Sequence, residues 1–278
     1  MKAIGAASDI RPPAVAGQFY PNDPAELAGL VRGFLREVPA EARSVAGAMV
    51  PHAGLIYSGA CAAQVMGRLT LPPVVIILAP NHTGAGEPGR AALWGKGAFR
   101  TPLGLVPIAE SLARRLALES DLVVEDRPAH RHEHAVEVEL PFLQVLAANT
   151  SIVPLVLAWD DWPSCRQLAH DLAALIAAWP EKVLLLASSD MTHFEPEEGA
   201  ARKDAVALRH VEQLDGQGLL HACVASHISM CGRAPAAVVV EASRQLGASS
   251  ATVVDYRHSG LVTGDNKRVV GYAGVLMG

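Results

Sequence analysis

The strongest constraint on this chain is one short pattern of residues that occurs three times. Val74-Val75-Ile76-Ile77-Leu78-Ala79 runs apolar without a break and ends in Pro80-Asn81-His82-Thr83-Gly84. Val45-Ala46-Gly47-Ala48-Met49-Val50 leads into Pro51-His52-Ala53-Gly54. Val183-Leu184-Leu185-Leu186-Ala187 leads into Ser188-Ser189-Asp190-Met191-Thr192-His193. A short apolar run stopped by Pro or Gly reads as a strand buried on both faces. Such strands belong to parallel or mixed sheets covered by helices. The polar residues after them fall at the carboxyl edge of the sheet, where α/β folds usually carry their chemistry. A single strand-end histidine says little. Three of them can converge if their strands are neighbours.

Between these strands lie helix signals. Asp23-Pro24-Ala25-Glu26 combines an Asp cap, Pro at the first position and Glu at the third, and opens a helix toward Glu37. A second helix is expected from Tyr57-Ser58-Gly59-Ala60, capped by Ser58, through Met66 to Leu69. Gly84 to Gly104 reads as loop or short hairpins, and a helix is expected from Pro107. Further helices are expected over Ser164–Trp179, Lys203–Leu214 and Ala236–Leu246, with strands at Ile152–Leu157, Thr252–Tyr256 and Arg268–Leu276. Residues 1–23 read as irregular. Strands alternate with helices, with no internal repeat and no dividing linker. The expected fold is therefore one α/β domain over residues 1–278, with a mixed, largely parallel sheet flanked by helices.

The 278 residues are 50% hydrophobic and 18% charged, enough for a sizeable core. The net charge of -5, without any long basic run, argues against nucleic acid as a partner. No apolar run approaches a membrane span, so no membrane partner is expected. The first residues, Met1 to Asp9, lack an apolar h-region, so a cytoplasmic protein is expected. Cys61, Cys165, Cys223 and Cys231 form no C-x-x-C pair, which argues against a zinc ribbon or a thioredoxin-type site. Free thiols are expected rather than a disulfide framework.

Several motifs carry possible chemistry. Gly84-Ala85-Gly86-Glu87-Pro88-Gly89 matches G-x-G-x-x-G, but Pro88 and the later Gly95, Gly97 and Pro102 leave no room for the helix that would hold a pyrophosphate. His52 and His82 occupy matching strand-end places. Cys231 lies in a turn of small residues before a helix, a setting that favours thiolate. Asp190 and His193, three apart, can form a carboxylate–imidazole pair, although an Asx-turn would also place Asp190 there. His130, His132, Glu133, His134 and Glu137 concentrate proton-transfer groups. For His130 and His132 a solvated polar segment is an equal reading, whereas His134 and Glu137 precede an apolar Leu140-Pro141-Phe142 and should face something packed.

Taken in order, Pro51-His52-Ala53-Gly54-Leu55-Ile56-Tyr57-Ser58-Gly59, Pro80-Asn81-His82, Glu133-His134-Ala135-Val136-Glu137, Ser188-Ser189-Asp190-Met191-Thr192-His193 and Met230-Cys231-Gly232 resemble the Memo family. In prokaryotes it is also called AmmeMemoRadiSam system protein B. The likeness runs from Arg11-Pro12-Pro13 to the closing strand. It implies a fold shared with the class III extradiol dioxygenases. It also implies a metal held by His52, His82 and Cys231. His193 falls at an acid/base position with Asp190 beside it, and His134 and Glu137 are expected to line the pocket. The metal implied is Fe(II) or Cu, with Zn as a further candidate, since a thiolate is softer than a carboxylate and disfavours Mg or Ca. Thiolate is also oxidisable, so the resemblance supports a metal site better than dioxygenase turnover.

Three functions are open at this point. One is a redox-active metal enzyme or metal carrier acting on an unidentified small molecule. Another is a metal-free hydrolase or transferase with Cys231 as nucleophile and His193 as base, oriented by Asp190. The third is a non-catalytic module that works with a partner, for which the family's prokaryotic name suggests a radical-SAM protein.

Overall fold

A computed structural model of the chain describes residues 9–39 and 41–278. The elements in order are β1 (Ile10–Arg11), α1 (Pro24–Leu35), β2 (Gly47–Val50), α2 (Leu55–Met66), β3 (Val74–Pro80), β4 (Ala91–Leu93), β5 (Ala98–Thr101) and β6 (Gly104–Pro107). They continue with α3 (Glu110–Glu119), β7 (Val123–Glu125), α4 (Arg127–Arg131), a 3-10 turn (Glu137–Glu139), α5 (Leu140–Leu146), β8 (Ser151–Leu157) and α6 (Trp162–Ala177). The chain closes with β9 (Val183–Ser188), β10 (His193–Glu195), α7 (Glu197–Glu212), α8 (Gly216–Ala225), α9 (Arg233–Gln245), β11 (Ala251–His258), α10 (Gly260–Thr263) and β12 (Val269–Met277). The expectations for residues 1–8, including the missing h-region, lie outside the described residues.

The main sheet has the order β10-β12-β2-β9-β3-β8-β4-β7, with β11 also paired to β12. Its centre, β2-β9-β3-β8, is parallel throughout. Antiparallel pairs of β4 with β8 and of β12 with β2 frame that centre. The single-domain α/β architecture with a mixed sheet is thus the observed one. The parallel centre follows from composition: every residue of β3 and β9 is buried, as expected of strands covered on both sides.

The two covering helices can be assigned to faces from register. Met277 pairs with Gly47 and Leu276 with Ala48, so neighbouring residues alternate between faces. A Cβ at Gly47 would come within 2.9 Å of Val239 on α9, and one at Gly274 within 2.6 Å of Val65 on α2. Gly47 and Gly274 fall on opposite faces in this register, so α9 and α2 sandwich the sheet. A small three-stranded sheet, β1-β5-β6, lies apart.

An aspartate side chain caps the start of α1, α4, α6 and α8. Asp23 caps α1 by accepting from the amides of Ala25 and Glu26, a contact worth about 1 kcal/mol. The second helix departs from expectation. It starts at Leu55 with Gly54 as its cap, because Leu55 is fully buried and its amide donates to the Phe19 carbonyl at 2.7 Å. Ser58 sits inside that first turn and donates to the Ala53 carbonyl. Pro107 ends β6, paired with Ala98, and the helix expected there begins at Glu110. Helix α8, which opens Gly-Gln-Gly, has low intrinsic propensity and no expectation anticipated it. Its start is set by Asp215, which accepts from the Gly218 amide. Between β3 and β4 there is no helix, so the G-x-G-x-x-G segment lacks the element a pyrophosphate needs.

Candidate functional site

The central strand order places the site. β2, β9 and β3 lie side by side and parallel. His52, Asp190 and His82 each follow the last residue of their strand by two positions. All three therefore emerge at one carboxyl edge, with Asp190 in the middle. His134 comes from the segment before the 3-10 turn. Cys231 precedes α9, which packs across β2, β3 and β9.

Three imidazoles meet there. The ring centroids of His52 and His82 are 5.2 Å apart, those of His52 and His134 5.4 Å, and those of His82 and His134 4.6 Å. One ligand atom from each of the three lies within 4.8 Å of the others. His52 is buried, while His82 and His134 are partly open to solvent.

What grips each ring from behind decides which nitrogen faces the pocket. His82 Nδ1 lies 2.9 Å from Glu133 Oε1, and the His82 amide donates to Glu133 Oε2 at 2.6 Å. Glu133 also accepts from the Ala135 amide at 2.9 Å. His134 Nδ1 lies 3.4 Å from the same Glu133 Oε1. His52 Nδ1 contacts Ser188 Oγ at 2.7 Å. In each case Nδ1 is the nitrogen turned toward the partner behind the ring.

The surroundings also set the charge. Burial pulls His52 well below the ordinary histidine value of 6.5, helped by the neighbouring His134 and His82. Burial likewise lowers His134. Burial pulls His82 down too, but its hydrogen bond with Glu133 and that carboxylate's charge outweigh this and raise it. Burial opposes the Glu133 carboxylate, yet the His82 hydrogen bond and charge leave its pKa lowered.

Cys231 Sγ lies 3.3 Å from His52 Nε2 and accepts from the Asp190 amide at 3.3 Å. Burial, then the Asp190 charge, pushes the Cys231 thiol far up. Asp190 Oδ1 accepts from the amides of His52 and Ala53 at 2.8 and 3.3 Å. Burial raises Asp190 to about 6. His193 Nδ1 donates to the Ser229 carbonyl at 2.9 Å, since a carbonyl can only accept. Among the described residues no hydrogen bond joins Asp190 to His193, although the His193 charge acts on Asp190. Asp190 ties down the His52 loop, and Ser229 orients His193.

A Memo family profile, described as Memo-like protein, matches residues 11–276. The chain belongs to the Memo family. A MEMO1 family protein of Aquifex aeolicus is 38% identical over 268 residues, covering 96% of this chain and 98% of that protein. One from Methanopyrus kandleri is 36% identical over 279 residues, covering 96% and 98%. In fold, the chain is similar to the crystal structure of the uncharacterized protein JW3007 of Escherichia coli K12. That likeness has a TM-score of 0.51 at 12% identity, over 82% of this chain and 98% of that one.

Not every residue expected at the Memo pocket faces it. Glu137 is fully buried and bonded away from the imidazoles. It accepts from the amides of Ala14 and Val15 at 2.8 and 3.1 Å, from the Tyr20 hydroxyl and from the Arg11 guanidinium. Its place as a pocket-lining group is thus corrected. A buried arginine with no other carboxylate partner among the described residues claims it. His130 is buried, its Nε2 2.9 Å from the Ala92 carbonyl, and burial lowers it to about 4. His132 is exposed. Sequence reasoning missed the roles of Glu133 and Ser188. Glu133 stood beside His134 in a dense polar run, and nothing in a linear string says that it reaches back to His82. Among the described residues, no helix is long and apolar enough to cross a membrane.

Proposed function

We propose that this Memo-family pocket holds one iron or copper ion, with zinc as a further candidate. His52 and His82 are the common ligands, joined by Cys231 or His134. The observation that carries the reading is the shared orientation of the imidazoles. Each has Nδ1 turned to a partner behind the ring, His52 Nε2 meets the Cys231 thiol, and one ligand atom from each ring lies within 4.8 Å of the others. A neutral imidazole steadied through its far nitrogen is the form that binds metal. Burial keeps His52 in that neutral form. Imidazole and sulfur donors suit these ions and not Mg or Ca.

An ion held there would supply Lewis-acid or one-electron chemistry to a small molecule in the pocket. The chain's own residues supply the rest. Glu133 and Ser188 orient two of the rings, and Asp190 fixes the His52 loop. His193, held at Nδ1 by Ser229, offers Nε2 to take or give a proton. The metal-free reading, with Cys231 as nucleophile and His193 as base, has weaker support. The thiol meets His52 instead, and burial moves thiol and imidazole away from the thiolate–imidazolium pair that such a nucleophile needs.

The test is metal content of protein prepared without air and without a histidine tag. About one ion per chain is expected, and His52→Ala with His82→Ala should abolish it. Cobalt(II) loading then separates the third ligand. A sulfur-to-cobalt absorption band lost in Cys231→Ser assigns the thiol, whereas no band plus weakened binding in His134→Ala assigns the imidazole. Protein that takes up none of the three metals stoichiometrically overturns the reading.

A further inference from the structure

Ser188 is the last residue of β9, and its hydroxyl is fully buried at the meeting point of three polar groups. Ser188 Oγ lies 2.7 Å from the Ala135 carbonyl oxygen, 2.7 Å from His52 Nδ1 and 3.0 Å from Glu139 Oε1. A hydroxyl has one proton to give and two lone pairs to receive with. The Ala135 carbonyl has no proton, so at 2.7 Å it must take the one that Ser188 owns. Two bare oxygens that close would repel. The remaining neighbours must then both donate to Ser188. His52 does so from a protonated Nδ1. Glu139 does so only as a neutral carboxylic acid.

We propose that Ser188 and Glu139 form a positioning pair: Ser188 holds His52 as its Nδ1–H tautomer with Nε2 bare, and Glu139 is a permanently protonated acid that fills the second lone pair of Ser188. Two further observations agree. Glu139 is fully buried, has no cation beside it among the described residues, and its Oε2 has no hydrogen-bond partner there, a state a carboxylate would not survive in an apolar setting. Burial accordingly pushes its carboxyl far above the ordinary range. Cys231 Sγ, 3.3 Å from His52 Nε2, then finds a lone pair there to which its own proton can point.

The consequence for the pocket rests on the metal reading above, but the tautomer and the acid do not. With the hydroxyl of Ser188 saturated, His52 cannot turn its bare nitrogen inward. It meets an incoming ion already in the correct form. Losing such outer support costs metal sites about 10- to 100-fold in affinity.

The experiment uses the metal-free full chain, so it can succeed or fail independently of metal binding. Nitrogen NMR of 15N-histidine protein should show His52 at neutral pH with Nδ1 protonated and Nε2 bare. Infrared difference spectra should show a protonated-acid carbonyl band that disappears in Glu139→Gln. The side-chain amide of that variant would still donate an N–H to Ser188, so it should keep the tautomer and the metal affinity of wild type. Ser188→Ala should mix the His52 tautomers and lower metal affinity about 10- to 100-fold. An Nε2–H His52 in the wild type, or a Glu139 that gives a carboxylate signal at neutral pH, overturns the proposal. So does a Ser188→Ala protein that retains one tautomer and full affinity. If Ser188→Ala does not fold, the wild-type and Glu139→Gln spectra still decide. A correct tautomer in protein that binds no metal would sink the metal reading and leave this one standing.

Discussion

Two clusters of polar residues meet at the segment that carries His134 and Glu137, and they behave in opposite ways. One is the pocket of His52, His82, His134 and Cys231. The other is the knot around Arg11 and Glu137. In the knot every polar side-chain atom of Arg11 and Glu137 has a partner. Arg11 donates to Glu137, to the Glu133 carbonyl and, through Nε, to the His130 carbonyl at 3.1 Å, and it lies over the Phe99 ring. Glu137 in turn receives two amides and a hydroxyl. In the pocket His82 and His134 are approached at Nδ1 by one carboxylate, Glu133, and His52 Nε2 meets only the thiol of Cys231. Saturated charge pairs hold a fold together, while open lone pairs on tethered rings are available for a ligand. Glu133 joins the two, since its carbonyl serves the knot and its carboxylate serves His82.

The largest effect that would test this contrast is in the knot. Glu137→Ala leaves Arg11 charged, buried and unpaired, which costs about 3–5 kcal/mol of stability. Urea unfolding should show that loss. Wild-type stability in this variant would mean that the knot is not structural. Next in size is His82→Ala. Its metal affinity should fall at least about 100-fold, equivalent to about 2.7 kcal/mol, while urea stability changes by less than about 1 kcal/mol. Calorimetric titration and unfolding on the same sample check both. A large stability loss without a change in affinity would erase the distinction between the clusters.

Glu133→Gln should act through His82 and cost about tenfold in metal affinity, without abolishing binding. It should also lower the His82 pKa, because the carboxylate charge that raises it is gone. NMR titration of His82 reads this directly. The smallest effect is a pH dependence. His82 titrates above 6.5 in the folded chain, so its contribution to metal-free stability is fully present below about 6.5 and is lost as pH rises through its folded value. Subtracting the His82→Gln thermal profile from that of wild type should isolate this slope. Metal affinity should run the other way and grow with pH, since a protonated His82 has no lone pair to offer.

The Asp23 cap of α1, the central strands and the matching positions of His52 and His82 could all be read from neighbouring residues. Each depends on local chemistry, on period or on an abrupt stop at Pro or Gly. Helix α8 could not, because its first turn is poor in helix formers and Asp215 with tertiary packing decides it. Glu137 could not be told from Glu133 either. Both are acids in one polar run before an apolar stretch, and only the arrival of Arg11 and Tyr20, more than a hundred residues away along the chain, claims the former.

The amino-acid order alone determined that buried strands would end in histidines at one edge of an α/β sheet, because hydrophobic run length and turn residues are local properties. Tertiary structure decided which strands became neighbours. It thereby decided which imidazoles met, which nitrogen each one showed, and which carboxylate was left to hold them. Those outcomes depend on partners brought together across the chain, and hydrogen-bond valences can be counted only once all the partners are in place.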